Sequence, residues 1–241
     1  MRSYIIHMTG DQKRVQNVTR LMADLPQPEV VEAVNGRAIL DQGDVALRNG
    51  DLHAPSYPFP LRAGEVGCFL SHRKCWQKIA AGSDPFGLIV EDDLAINPRK
   101  WRDVMELIDE HASTDHFIRL PAKLRETPIH TIAQQRDAQL FLPRRIGLQT
   151  VAQVVGKAAA ARLLVATEIL DRPVDTFLQM HWVHGQPVHT IIPNGVSELT
   201  EALGGSTIQS RPSGGKLARE FKRMFYRGQI ALRSQRNQLP A

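Results

Sequence analysis

Phe86-Gly87-Leu88-Ile89-Val90-Glu91-Asp92-Asp93-Leu94 is the stretch on which the fold turns. Phe86 to Val90 is apolar without alternation, as expected of a strand buried on both faces of a mainly parallel sheet. It runs straight into Glu91, Asp92 and Asp93. Like charges this close raise one another's pKa unless a cation sits among them, and a divalent metal is the natural remedy. Hard carboxylate oxygens suit Mg²⁺ or Mn²⁺, with water and substrate phosphate completing the coordination. The carboxyl end of a parallel strand is also where open α/β sheets place their ligands. Acids that only cap a helix or face solvent are the competing reading.

Working outward, Asn97-Pro98 supplies an N-cap and a first-turn proline for a helix with Trp101, Val104, Met105 and Ile108 on its inner stripe. Upstream, Val66, Phe69, Leu70, Trp76, Ile79 and Ala80 form one face of a helix from Gly64 that ends at Gly82. The N-terminal segment reads as a buried strand over Ser3 to Met8, then a helix facing inward through Val15, Val18, Met22 and Leu25. A short strand at Val30 to Val34 leads into Asn35-Gly36, and Arg37 to Ala63 reads as an irregular loop over the site. Downstream come a strand at Phe117 to Leu120, a hairpin around Arg136 to Gln149 and a strand at Thr150 to Val155. Helices at Lys157 to Ile169 and Val174 to His181 precede a last strand at Val188 to Ile192. The alternation predicts an α/β sheet flanked by helices.

With 241 residues, 42% apolar and 23% charged, the chain is large enough for one substantial core. No run approaches the 18 or so apolar residues needed to span a bilayer, and the apolar start, Tyr4 to Met8, lacks the length of a signal segment. The expectation is a cytoplasmic protein. Cys68 and Cys75 lie seven residues apart on one helix, roughly 10 Å by helical rise, which excludes a disulfide between them and suggests inert thiols. Of the net charge of +5, residues 205–241 contribute +7, leaving −2 for residues 1–204. The division is therefore a domain over 1–204 and a basic tail over 205–241. In the tail, Leu217, Phe221, Met224, Phe225 and Leu232 recur at helical intervals among basic residues, predicting an amphipathic helix over 215–233. Docking on an anionic membrane, packing on the body and nucleic-acid contact are the readings open to it. No nucleic-acid module or aromatic interleaving supports the last, and the expectation is no nucleic-acid partner.

Several segments occur in the order of a known family: YIIHMTGDQKR from Tyr4, EAVNG at Glu32 to Gly36, GEVGCFLSHRKCW at Gly64 to Trp76, GLIVEDDL at Gly87 to Leu94, Thr150-x-Ala152, and Pro173-Val174-Asp175. In these the chain resembles glycosyltransferase family 25, the lipopolysaccharide and lipooligosaccharide galactosyltransferases. The resemblance implies a single-domain transferase of the GT-A type, with a mainly parallel mixed sheet flanked by helices and an acidic cluster in place of a DxD motif. It implies UDP-galactose, or else UDP-glucose, as donor, a lipid-linked surface glycan as acceptor, and inversion; with such an acceptor, docking of the basic tail at the inner face of the cytoplasmic membrane is the economical reading. By position, Asp93 becomes a metal ligand and Glu91 a ligand or a contact to ribose, with Asp92 between them; Mn²⁺ or Mg²⁺ is the expected ion. Arg14, Asn35, Gly36 and His72 fall at donor-lining positions and Asp175 at that of the general base. Open beside these are a core role for His72, a solvated Arg14 and an Asp175 that only favours a helix start. His181, His184 and His189 are further candidates to complete a metal site. His7-Met8, Gln153 and the closing segment Ile192-Pro193-Asn194-Gly195-Val196-Ser197-Glu198, more polar than usual, depart from the family's pattern, which bears on sugar and acceptor choice while leaving the fold and metal site untouched. A metal-dependent phosphohydrolase would want a nucleophilic Asp after the first strand, where His7-Met8-Thr9-Gly10 stands. A non-catalytic scaffold or glycan-binding protein of the same fold is the remaining alternative.

Overall fold

The computed structural model describes residues 1–200, 203 and 216–236. The chain opens with β1 (Arg2–His7), α1 (Val15–Asp24), β2 (Pro28–Glu32), α2 (Gly36–Gln42) and α3 (Ala63–Ala81). β3 (Phe86–Glu91), β4 (Leu94–Ile96), α4 (Pro98–His111) and β5 (Phe117–Arg119) follow. Next come β6 (Pro128–Gln135), β7 (Ala138–Pro143), β8 (Ala152–Gly156), α5 (Lys157–Ala166), α6 (Val174–Leu178) and α7 (His181–His184). β9 (Val188–Ile192), β10 (Val196–Glu198) and α8 (Lys216–Arg236) complete the described chain.

Eight strands form one mixed sheet in the order β2-β1-β3-β8-β5-β9-β7-β6. The α/β architecture is as expected, but the parallel share is smaller: β1–β2, β1–β3 and β5–β9 are parallel, whereas β3–β8, β5–β8, β7–β9 and β6–β7 are antiparallel. Because side chains alternate across a pleat, the continuous apolar runs feed two cores at once. Ile5, Leu88, Val90 and Val154 face a core under α1 and α4, with Trp101, Val104 and Ile108. Tyr4, Ile6, Ile89 and Val155 face the other side, where Phe69, Trp76 and Ile79 of α3, Leu163 of α5 and Phe177 of α6 cover them. β3 is thus buried on both faces and by strands on both edges. Its carboxyl end delivers the acids.

Two glycines let α2 lie against α3. A Cβ on Gly36 would overlap the Ala63 carbonyl oxygen and stand 2.6 Å from the Gly67 nitrogen, and one on Gly67 would lie 2.5 Å from the Val34 carbonyl oxygen. The backbones meet too closely for any side chain.

Several elements differ from the sequence reading. α1 turns Asn17, Val18 and Leu21 inward and leaves Val15 and Met22 exposed, because the Asn17 amide donates to the carbonyls of Asp92 and Leu94, at 2.8 Å each. The hairpin lies at Pro128 to Pro143 with its turn at Arg136-Asp137, earlier than its expected span, and its outer strand β6 is a largely exposed edge without apolar alternation. The segment 37–63 is not wholly irregular, since Asn35 caps α2 at its start. A two-stranded sheet of β4 and β10, absent from the sequence reading, pairs Leu94 with Glu198. The tail helix forms, but it packs on the body through Tyr226 and Ile230 beside Met180, Tyr57 and Trp182. The residues expected to form its apolar stripe are exposed. The expected domain boundary at 204/205 lies outside the described residues.

Candidate active site

The three consecutive acids diverge. Glu91 accepts a hydrogen bond from Thr150 Oγ1 at 2.7 Å and faces His72 Nε2 at 3.3 Å. Asp92 pairs with His7 Nδ1 at 2.7 Å and with Arg14. Asp93 accepts from Thr200 Oγ1 at 2.8 Å, lies 3.4 Å from Arg14 Nη2, and keeps its Oδ1 buried without a hydrogen-bond partner among the described residues. Arg14 is itself buried, so the reading of a solvated helix-start arginine is corrected. The cation that adjacent acids require is present in the chain for Asp92 and in part for Asp93.

The remaining electrostatics separate the acids. Burial acts to raise the Glu91 carboxyl, but the hydrogen bonds and charge of His72, with Thr150 and Arg14, outweigh it and hold Glu91 below its ordinary range. Asp93 is shifted the other way, by burial first and by the neighbouring Glu91 charge, against the Thr200 hydrogen bond and Arg14. Glu198, which sequence reasoning did not single out, is raised by burial and by the charges of Asp93 and Glu91, against Lys123 and Gln149. The β4–β10 pairing puts it there, aided by the Leu199 amide on the Asp93 carbonyl at 2.8 Å. Its sequence signal was its place at the end of the unusually polar closing segment Ile192 to Glu198.

Residues 149 and 150 tie these groups to Asp175. The Gln149 side chain donates to Glu198 Oε1 at 2.7 Å while its backbone amide donates to Asp175 Oδ2 at 3.2 Å, and Thr150 holds Glu91. Gln149 adopts a φ of 86°, and Arg119 Nη2 fixes its carbonyl and that of Leu148 at 3.0 and 2.8 Å. Arg119 is in turn ion-paired to the buried Glu126. Asp175 sits half-buried in the first turn of α6, where Thr176 Oγ1 donates to its Oδ1 at 3.2 Å. Gln149 and Thr150 thus join Asp175, Glu198 and Glu91, while Arg14 pairs with Asp92 and Asp93.

The family model for glycosyltransferase family 25, described as LPS biosynthesis protein, matches residues 1–178. The chain belongs to glycosyltransferase family 25. It is 27% identical over 191 residues to procollagen galactosyltransferase 2 of Homo sapiens, covering 72% of this chain and 29% of that protein. To a glycosyltransferase 25 family member of Drosophila melanogaster it is 24% identical over 214 residues, covering 82% and 34%. To procollagen galactosyltransferase 1 of Danio rerio it is 34% identical over 112 residues, covering 44% and 18%. These matches take in about a third or less of each relative's length. The mixed sheet flanked by helices is the GT-A-like arrangement of glycosyltransferase family 25.

Within this family 25 chain, the departures from the usual pattern do touch the acids, contrary to the sequence reading, the closing segment through Glu198. His7 bonds Asp92, and the Gln153 side-chain amide lies 2.6 Å from His72 Nδ1, the ring nitrogen opposite the one that faces Glu91. His72 is fully buried and faces Glu91, so a core position and a place beside the acids are compatible. Asn35 caps α2, accepting from the Arg37 and Ala38 amides at 3.1 and 3.2 Å, and Gly36 serves the contact with α3; no polar contact joins either to the acids among the described residues.

The candidate histidines lie elsewhere. His184 donates to the Leu178 carbonyl and accepts from the Gln186 amide, and burial lowers it to about 4. His189 rests against the His116 ring and is likewise lowered to about 4 by burial, then by His116. His181 packs against Trp182. Cys68, expected to be an inert thiol, stands beside His72 and Glu91, their ligand atoms within 4.8 Å of one another. Burial, followed by the Glu91 and Asp175 charges, raises its thiol well above the usual range, which keeps it protonated. Burial pushes Cys75 up to about 12. A surface cavity of about 410 Å³ at the opposite ends of β1 and β3, near Arg2 and Gly87, is spanned by the Lys78–Glu29 ion pair and contains none of these groups.

Proposed function

We propose that this chain transfers galactose from a UDP-sugar to a hydroxyl of a lipid-linked surface glycan such as lipooligosaccharide, with inversion at the anomeric carbon. The observation that carries this reading is that Gln149 and Thr150 join Asp175, Glu198 and Glu91, with Asp93 near enough for its charge to act on Glu198. Family membership supports a nucleotide-sugar donor. The names of the relatives support galactose, and the family's own description supports the acceptor class.

Asp175 takes the proton of the acceptor hydroxyl as that oxygen attacks the anomeric carbon; the bond to the UDP oxygen breaks on the opposite face, so the proton ends on Asp175 and the charge on the diphosphate. The Gln149 amide on one Asp175 oxygen orients the carboxylate for this. The donor set is of a kind that takes a hard divalent cation, because Asp93 keeps a buried oxygen without a hydrogen-bond partner among the described residues, and Asp93 and Glu198 are raised by burial first and then by neighbouring negative charge. Mn²⁺ or Mg²⁺ held by Asp93 with Glu91 and Glu198 would neutralise charge on the diphosphate. His72 and Thr150 keep Glu91 ionised, and Arg14 with His7 holds Asp92 out of that set.

The test is calorimetric titration of UDP and UDP-galactose with and without Mn²⁺, on the wild type and on Asp93→Asn. Metal-dependent binding that the variant loses is the expected result. A wild type that binds neither nucleotide with any metal would overturn the transferase reading in favour of a non-catalytic glycan-binding scaffold.

A further inference from the structure

The tail helix α8 has two opposed apolar faces, and only one of them is used. Tyr226 is 6% and Ile230 2% exposed, packed against Met180, Tyr57 and Trp182. The Tyr226 hydroxyl also accepts from the fully buried Arg172 at 3.0 Å, and Arg172 reaches the His53 and Pro55 carbonyls and Asp171. Arg219 and Arg223, on the same side, lie over the Phe59 ring at 6.0 and 5.7 Å. These contacts seat the helix on the body in one rotation about its axis.

That rotation turns a second set of large apolar side chains to the outside. Leu217 is 89% exposed, Phe221 66%, Met224 and Phe225 63% each, and Leu232 58%. At 3.6 residues per turn they occupy an arc of roughly 100°, centred nearly opposite Tyr226 and Ile230. Five such side chains on one face are far from the scattered exposed apolar residues of an ordinary surface. Nothing among the described residues covers them.

Charge identifies the occupant. Residues 216–236 hold seven Lys or Arg and one acid, Glu220, which is paired to Arg223. Exposed Lys222 and Arg227 fall on the two flanks of the apolar arc. Two copies of such a helix face to face would bring like charges together along both edges, whereas an anionic lipid surface takes apolar side chains at its acyl boundary and cations at its headgroups. We infer that the outward face of α8 docks this protein on an anionic membrane surface, with Phe221, Phe225 and Leu217 inserted and Lys222 and Arg227 at the headgroups. Neither the docking nor its test depends on the transferase reading.

The experiment is co-sedimentation of the full chain with vesicles of phosphatidylcholine alone or with 30% phosphatidylglycerol (about a third anionic lipid), beside sedimentation velocity without lipid. Binding to the anionic vesicles at least about tenfold tighter, weakened by salt, is expected. Phe221→Ser/Phe225→Ser and Lys222→Glu/Arg227→Glu should each lose it while keeping the wild-type melting temperature, since neither pair packs on the body. Equal binding to both vesicle types, or none, overturns the proposal. So does a self-associating wild type that Phe221→Ser/Phe225→Ser converts to monomer, which would make a second copy the occupant.

Discussion

Replacing Arg14 by Met leaves its packing volume nearly intact and withdraws one positive charge from between two carboxylates. The side chains involved are 10% exposed for Arg14 and 8% for Asp92 and Asp93. Breaking a buried pair by deleting one partner costs about 3–5 kcal/mol, because the surviving charge stays desolvated. Asp92 retains His7 and Asp93 retains Thr200, so the lower end applies, about 3 kcal/mol. In a chain of this size that is a fall of roughly 6–12 °C in Tm. The sign of the pH dependence follows. A carboxyl whose folded pKa lies above its unfolded value binds more protons when folded, so its penalty shrinks as pH falls through that pKa. Asp93 is already raised in the wild type and rises further without Arg14. Scanning calorimetry at pH 7.5 and pH 5 should therefore show the gap between wild type and Arg14→Met narrowing at the lower pH. Mn²⁺ should restore part of the loss at pH 7.5 by replacing the missing charge. A gap below about 2 °C at pH 7.5, or one unchanged at pH 5, would refute the assignment of Arg14 as the internal counter-ion of these acids.

Three further outcomes are expected. Gly36→Ala should destabilise by about 3 kcal/mol or more in urea denaturation, since the new Cβ meets backbone on α3 that cannot rotate away; a loss under about 1 kcal/mol would show that α2 shifts freely. Between pH 6.5 and 4 stability should fall, because His184 and His189 are lowered to about 4 when folded and the unfolded chain takes up their protons first. His184→Phe should flatten that slope, by up to about 3 kcal/mol at pH 4, and an unchanged slope would remove His184 from the account. Glu198→Gln should weaken Mn²⁺ binding about tenfold or more, measured by calorimetry, with little change in Tm; wild-type affinity would exclude Glu198 from the cation site.

The sequence by itself determined what local pattern and strand burial dictate. The apolar run before Glu91 specified a doubly buried strand ending in acids, Asn97-Pro98 specified the start of α4, and the spacing from Val66 to Ile79 specified α3. Family motifs placed Glu91, Asp93, His72 and Asp175 at the site, although not the contacts among them. Only the tertiary structure decided those contacts, because they depend on which distant strand pairs with which. The β4–β10 register brings Glu198 beside Asp93 over a hundred residues away in sequence, and the Arg119-anchored loop brings Gln149 between Glu198 and Asp175. Periodicity likewise identified α8 as amphipathic but not which face meets the body. That choice rests on Tyr226 meeting the buried Arg172, a contact between charge and hydroxyl that hydrophobic spacing does not encode.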